Sequence, residues 1–488
     1  MSDHPDEIRW TKLDRDLSRI SRAELAASYA ARPLVAPGLA LAFIVLTGFA
    51  AALFFGQTTG GLVVIAAAIF GAYMAMNIGA NDVANNMGPA VGANALSMGT
   101  AICIAALAES AGALLAGGEV VETIAKNIVD PTAMQDAQVF IWAMLAALIS
   151  SALWVNFATL IRAPVSTTHS VVGGVMGAGV AAAGLAAVNW PMMGAIAASW
   201  VIAPLLGGVI AAALLALIKA RIQDRDDKIA AARVWVPMLV AVMAGAFAAY
   251  LAVKGLQRVV RVELGTALLI GLLTGGLAWR LTVPWVRRKS TGMENRTRSL
   301  KDLFGLPLVV AATLLSFAHG ANDVANVVGP VAAIVHTSQF GAFAAQVPVP
   351  GWVIAIGAFG ISFGLFLFGP RLIRMVGTQI TKLNPMRAFC VALSTAITVL
   401  LASWQGLPVS STHIAVGGVF GVGFYREWHA QYRQRRSLPV QRIASEERRH
   451  RKLVRRSHFM TIIAAWVVTV PATALLSAVL FTGLMAFM

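Results

Sequence analysis

Apolar residues fill thirteen long blocks of the chain, and polar residues are largely confined to the stretches between them. The blocks run over 37–55, 61–95, 98–117, 138–161, 164–187, 190–218, 235–253, 264–285, 304–335, 351–371, 387–404, 407–425 and 459–487. At 1.5 Å per residue each can cross, or nearly cross, a hydrocarbon layer of roughly 30 Å as a helix. Helices are the predicted form because lipid offers no partner to an exposed backbone amide or carbonyl. The chain reads as an all-α polytopic membrane protein. Its first block follows a charged arm and has no small-residue cleavage site, which predicts a retained helix rather than a signal peptide.

The polar stretches set a direction. Residues 1–35 mix acidic and basic residues with Ile20, Leu25 and Tyr29 at helical spacing, as in a cytoplasmic arm carrying an amphipathic surface helix. Threading thirteen crossings from a cytoplasmic N-terminus puts 219–234, 286–303 and 425–458 inside, and all three are basic. The acidic stretch 118–137, with Glu119, Glu122, Asp130 and Asp136, falls outside. The positive-inside rule expects this arrangement. One stretch dissents: 254–263 carries Lys254, Arg258 and Arg261 yet lands outside.

Two phrases are written twice. GANDVANNMGP at 79–89 returns as GANDVANVVGP at 320–330, identical at nine of eleven positions, and PVSTTHSVVGGVMGAG from Pro164 returns as PVSSTHIAVGGVFGVG from Pro408. The spacing is kept as well: Asn81 to Ser166 is 85 residues and Asn322 to Ser410 is 88. Each phrase recurs seven blocks later, an odd separation, so the two copies run through the membrane in opposite senses. Opposed copies form an inverted repeat, an architecture of many secondary transporters. The expected core has about twelve helices plus one extra N-terminal helix, with discontinuous or re-entrant helices at the repeated phrases. The predicted divisions are arm 1–35, extra helix 36–59, first repeat 60–218, linking helices and basic loops 219–303, second repeat 304–424, basic loop 425–458 and terminal helix 459–488.

The phrases also carry the chemistry. A carboxylate near the bilayer centre is costly without a cation, a proton or a buried partner, and Asp82 and Asp323 stand there in duplicate. Asn81, Asp82 and Asn85, with Asn322, Asp323 and Asn326, gather oxygen ligands within about one turn. Gly79 and Gly320 are expected to let the helix unwind and offer carbonyls, and Pro89 and Pro330 to break it. Hard oxygen donors without His or Cys suit Na+ or a proton. Helix-to-helix hydrogen bonding would explain one such Asn but gives no reason to repeat its whole context. Ser166, Thr167 and Thr168, and Ser410, Ser411 and Thr412, follow prolines and precede glycine-rich helix. Hydroxyls and free amides at a helix start favour an anion, and two such ends could hold a tetrahedral oxyanion between them. His169, His413 and His319 adjoin these phrases, with Ile78 at the position matching His319; packing histidines and proton-coupling histidines would look alike here. Glu109 lies inside the third block, whereas the matching stretch around Ser362 has no carboxylate, which points to a cation or proton site in one half only.

Composition sharpens this little. Residues are 58% hydrophobic and 12% charged with mean hydropathy +0.75, outside the range of a soluble globular domain. A net charge of +16 would suggest nucleic acid in a soluble protein; here the basic residues sit in loops, where they report topology and contact anionic lipid. Cys103 and Cys390 are both in apolar blocks, so neither a disulfide framework nor a zinc site is expected. Trp190, Trp235 and Trp352 near block ends fit an interfacial belt.

GANDVAN twice, each followed by PVS[ST]TH, resembles the inorganic phosphate transporter family of sodium- or proton-coupled phosphate symporters, over roughly residues 60–487. The resemblance implies inverted repeats, often in a homodimer, in the cytoplasmic or inner membrane. It implies phosphate at Ser166, Thr167, Thr168, Ser410, Ser411 and Thr412, and cations, Na+ among them, at Asn81, Asp82, Asn322 and Asp323. No enzyme activity and no cofactor beyond the coupling ion are expected. A cation-coupled sulfate permease shares these features; an anion channel would not need the doubled Asp, and a membrane hydrolase would need a catalytic base beside its serines.

Overall fold

The computed structural model of the chain describes residues 21, 33–58, 60–161, 165–255, 262–341, 349–379, 384–437 and 456–487. Nearly all of the N-terminal arm, Arg162, Pro164, Arg258, Arg261 and the part of the last basic loop at 438–455 lie outside the described residues.

Described residues are almost all helical. The helices are α1 (Pro33–Phe55), α2 (Gly61–Gly92), α3 (Met98–Ala116), α4 (Gly118–Glu122), α5 (Ala137–Leu160), α6 (Thr167–Ala183), α7 (Trp190–Ile218) and α8 (Lys228–Tyr250). There follow α9 (Leu264–Lys289), α10 (Leu300–Leu303), α11 (Gly305–Asp323), α12 (Ala325–Phe340), α13 (Gly351–Gln379), α14 (Pro385–Trp404), α15 (Ser411–Ser437) and α16 (Arg456–Ala486). Polar residues mark several starts: the side chains of Asp136, Asn189, Asp227 and Asn384 accept from a backbone amide at the heads of α5, α7, α8 and α14. Among the described residues eleven helices are long and apolar enough to cross a membrane, against the thirteen blocks expected. The two blocks without such a span are those of α6, only 17 residues long, and α15, which follows the second hydroxyl phrase.

Packing is reciprocal between the halves. Helix α2 lies along α13 while α11 lies along α3, and α6 lies along α16 while α15 lies along α7. The same positions make these crossings in both halves. A Cβ on Gly79 would collide with the carbonyl oxygen of Ile361 on α13, and one on Gly320 with the carbonyl oxygen of Glu109 on α3. Apolar helices in lipid gain from packing rather than from escaping water, so backbone contact at small residues is what holds them. Helices α8 and α9 form a separate pair, with Gly245 against the Gly271 carbonyl.

This corrects the reading of the GAND phrase. Helix α2 runs unbroken from Gly61 to Gly92 with Pro89 inside it, and in the second copy only Val324 separates α11 from α12 while Pro330 sits within α12. The glycines serve close crossing rather than unwinding. The prolines do not end the helices, but having no N–H they withdraw the usual helical donor from the carbonyls of Asn85 and Asn326, four residues earlier.

The ends of the helices agree with two faces. Arg233 donates to Ser290, Asn295 to the Asp226 carbonyl, and the Lys219 ammonium lies 5.4 Å from the centre of the Tyr425 ring, so the three basic stretches share one face. Lys254, which dissented from the charge rule, forms an ion pair with Glu119 and lies over Trp404. A lysine tied to an acidic loop carries little topological signal, which explains that exception.

Candidate functional site

The two copies of each phrase converge on one buried cluster. Helix α6 starts at Thr167 because Ser166 caps it, its hydroxyl accepting from the His169 amide at 3.2 Å, and Ser410 does the same for His413 at 3.4 Å. The hydroxyls that follow point at the carboxylates and amides of α2 and α11–α12. Thr167 Oγ1 lies 3.0 Å from Asp82 Oδ2 and 3.1 Å from Asp323 Oδ2, bridging the two copies. Thr412 donates to Asp82 Oδ1 at 3.0 Å. Asn85 donates to Thr412 at 2.7 Å, and its counterpart Asn326 donates to Thr168 at 3.2 Å. Each half thus lends its asparagine to the other half's hydroxyl phrase. Thr168 in turn donates to the Val409 carbonyl at 3.2 Å.

The remaining asparagines are anchored by residues the motif reading missed. Asn81 donates to Thr159 at 3.0 Å, and Asn322 meets Ser403 at 2.9 Å. The Asn322 amide is best satisfied with its oxygen accepting from Ser403 and its nitrogen donating to the Val409 carbonyl at 2.9 Å and Asp323 Oδ1 at 3.1 Å. A signal existed: Thr159 and Ser403 each stand seven residues before the capping serine of their phrase.

Superimposed on this reciprocity is a polar chain with no counterpart. His319 on α11 places Nε2 at 3.2 Å from Asp323 Oδ2 and 3.8 Å from Asp82 Oδ2, with Nδ1 at 3.3 Å from Glu109 Oε1. Asn86, also missed, donates to Glu109 at 2.9 Å. Glu109 therefore reaches the aspartates through the imidazole and not directly. A nitrogen also stands beside the oxygen donors: Asp82, His319 and Asp323 have ligand atoms within 4.8 Å of one another.

Asp82, Asp323, Glu109 and His319 are all at most 1% exposed, and carboxylates so placed persist only when hydrogen-bonded or charge-compensated. Several acceptors have capacity left. Asn326 Oδ1, Glu109 Oε2 and Ser411 Oγ are buried without a hydrogen-bond partner among the described residues. On the far side of the helix starts, His169 meets His413 edge-on with ring centres 4.6 Å apart and lies 3.8 Å from the Trp200 ring, whose Nε1 donates to the Pro408 carbonyl at 3.0 Å. A cavity of about 630 Å³ between α1 and α13, lined by Phe43, Leu46, Phe54, Trp352 and Ile356 among others, is apolar and remote from this cluster.

The arrangement brings Asp82, Asn85, Asp323 and Asn326 together with Thr167, Thr168 and Thr412, while Asn81 is held apart by Thr159 and the Ser411 hydroxyl has no partner among the described residues. Ser166 and Ser410 act as caps at the same helix starts. The cluster can present oxygen ligands to a cation and hydroxyls at two opposed helix tips to an anion.

Comparison with known proteins shows the family of the chain. The family model described as the phosphate transporter family matches residues 78–477. A Helicobacter pylori (strain J99) protein named "Putative phosphate permease" is 48% identical, with 91% of this chain and 95% of that protein covered. A similarly named Pyrococcus abyssi protein is 37% identical, with coverage of 85% and 96%. The solved structure titled "The sodium-dependent phosphate transporter" matches with TM-score 0.79 and 34% identity, over 88% of this chain and all of that one. The chain is therefore a multi-pass membrane protein that belongs to the phosphate transporter family, a family of transporters and not of enzymes.

Proposed function

We propose that this protein is a secondary active symporter that carries inorganic phosphate across the membrane together with Na+ or H+. One observation carries the reading: the Thr167 hydroxyl bridges Asp82 of the first copy and Asp323 of the second, joining the anion-type helix tip to both cation-type carboxylates. In this reading Asn81, Asp82, Asn85, Asn322, Asp323 and Asn326 hold the coupling cations. Ser166, Thr167, Thr168, Ser410, Ser411 and Thr412, with the amides of α6 and α15, receive phosphate. Glu109 belongs to the coupling side. Anion and cations stabilise each other where the effective dielectric is well below that of water, so neither is bound well alone. The names of the relatives and of the solved structure favour phosphate over sulfate and Na+ over H+.

Access alternates, in this reading, because the halves are inverted. We take α5–α6 and α14–α15 as two re-entrant hairpins, since the end of the first helix and the start of the second in each pair, at Thr159 and Thr167 and at Ser403 and Thr412, meet the asparagines and aspartates of the GAND phrases. Between α2 and the α11–α12 unit the chain then crosses at α3, α7, α8 and α9. Four intervening crossings leave α2 and α11–α12 antiparallel, as parity over the repeated phrases also required. Rocking one repeat against the other would expose the cluster to each side in turn. The divisions 60–218 and 304–424 are the two repeats of this scheme, and a homodimer enters it only through the family likeness.

The test is uptake of radiolabelled phosphate into proteoliposomes under separately imposed Na+ and pH gradients. Concentrative uptake driven by one of them, competed by phosphate and not by sulfate, is expected. Uptake that ignores both gradients and does not saturate would replace the symporter with a channel. A second expectation concerns the bridge itself. Thr167→Val keeps the shape but leaves two buried carboxylate oxygens without their shared donor, and should raise the cation concentration for half-maximal uptake by about tenfold. Thr167→Ser should restore it; equal half-saturation in all three proteins would remove Thr167 from the site.

A further inference from the structure

The symport reading puts Glu109 on the coupling side but assigns no role to Asn86 or His319, and the placement of the one-sided chain Asn86–Glu109–His319 suggests one. Nε2 of His319 faces Oδ2 of both aspartates, the same two oxygens that Thr167 bridges. A cation shared by these oxygens would need the space the imidazole edge occupies. The ring's contacts are close, at 3.2 and 3.3 Å, yet neither nitrogen makes an aligned hydrogen bond; it is held by proximity to carboxylates rather than locked. Behind it stands Glu109, fixed by Asn86 at 2.9 Å and able to keep the ring by Nδ1 if Nε2 withdraws. The device is built once. Ile78 and Val327 occupy the positions matching His319 and Asn86. Gly112 meets the Phe317 carbonyl as Gly364 meets that of Met76, and this equivalence puts Ile361 opposite Glu109.

We propose that His319 is a tethered stand-in for the coupling cation: its imidazole sits against Asp82 and Asp323 when no cation is bound, and swings back onto Glu109 when one enters. The proposal rests on the symport reading and adds the step that reading leaves open. A symporter that completes net transport must return unloaded, with its cation-binding carboxylates buried and empty. Two such carboxylates, hydrogen-bonded to threonines but with no positive charge beside them, oppose that return, and an imidazolium already between them removes the obstacle. In this step the ring is an imidazolium throughout, with a proton on each nitrogen, Nε2 toward the aspartates and Nδ1 toward Glu109, so it changes partner and not charge.

Net uptake needs the unloaded return, whereas exchange of labelled for unlabelled phosphate at equal cation on both sides does not. Both are measured in proteoliposomes with radiolabelled inorganic phosphate, for the full-length protein and for His319→Ile, which copies the opposite half. Net uptake should fall at least about tenfold relative to exchange in this variant, because a buried carboxylate has lost its partner. His319→Gln, which keeps an amide N–H but cannot touch Glu109 and the aspartates together, should show a smaller loss of the same kind and decides the matter if the isoleucine variant is not recovered folded. An unchanged ratio, whether both activities fall together or neither falls, overturns the proposal. Absence of both activities in the unmodified protein would instead overturn the symport reading.

Discussion

Asp82→Asn is expected to abolish cation-coupled phosphate uptake, by at least about a hundredfold, while leaving the protein folded. Asp82 takes a hydroxyl on each oxygen, Thr412 on Oδ1 and Thr167 on Oδ2, both at 3.0 Å. An asparagine can keep both contacts, because a threonine hydroxyl can rotate and accept from the new amide where it donated before. What it cannot keep is the charge that draws a cation to the bilayer interior. Asp323→Asn should act in the same direction, and with a second consequence, since Asp323 also holds Nε2 of His319 at 3.2 Å. The measurement is initial uptake against Na+ or H+ concentration for each variant, with a monodisperse elution profile as the check on folding. Coupled uptake at the unmodified rate in either variant would mean that the carboxylates are packing groups.

The other large effect concerns assembly. Gly320→Val should leave little folded protein, at a cost of about 3 kcal/mol or more, because the atom it meets is backbone and cannot rotate away. A Cβ at 320 strikes the carbonyl oxygen of Glu109, and one at the equivalent Gly79 strikes that of Ile361. Helices α11 and α3 would have to separate, and with them His319 and the Glu109 that faces it. The control is Gly276→Ala on α9, where nothing stands within 4 Å of the added carbon. That change should be neutral or slightly stabilising, since alanine is the better helix former. Thermal unfolding in detergent compares them directly. Comparable midpoints for Gly320→Val and Gly276→Ala would show that the crossing tolerates separation and that the glycines are not what sets it.

Much of the site could be read from repetition. A duplicated NDxxN phrase makes little sense as isolated helix contact, and the duplicated PVS[ST]TH phrase announced its partner. The structure joins Asp82, Asn85, Asp323 and Asn326 to Thr167, Thr168 and Thr412 by hydrogen bonds, and leaves Asn81 and Ser411 out of that network. The reading failed where it used local rules alone. Glycine and proline beside the aspartates suggested broken helices; α2 is continuous because its glycine faces a neighbouring backbone and its proline only frees a carbonyl. Thr159 and Ser403 were missed although both stand seven residues before a capping serine, because a hydroxyl in an apolar helix has many uses and that spacing alone does not say it meets an asparagine.

The sequence by itself determined an all-helical membrane protein and its doubled phrases, because lipid forces apolar length and a repeat is visible as such, but it counted thirteen crossings where eleven helices among the described residues are long and apolar enough to span. Only the tertiary structure decided which residues meet. Asp82 and Asp323 are 241 positions apart in the chain, and whether they share a donor depends on how the halves interlock. The place of His319 followed the same logic. The four-residue spacing puts His319 beside Asp323 on one helix face, but nothing along the chain says that the ring also meets Asp82 and Glu109, because those contacts are made across helices.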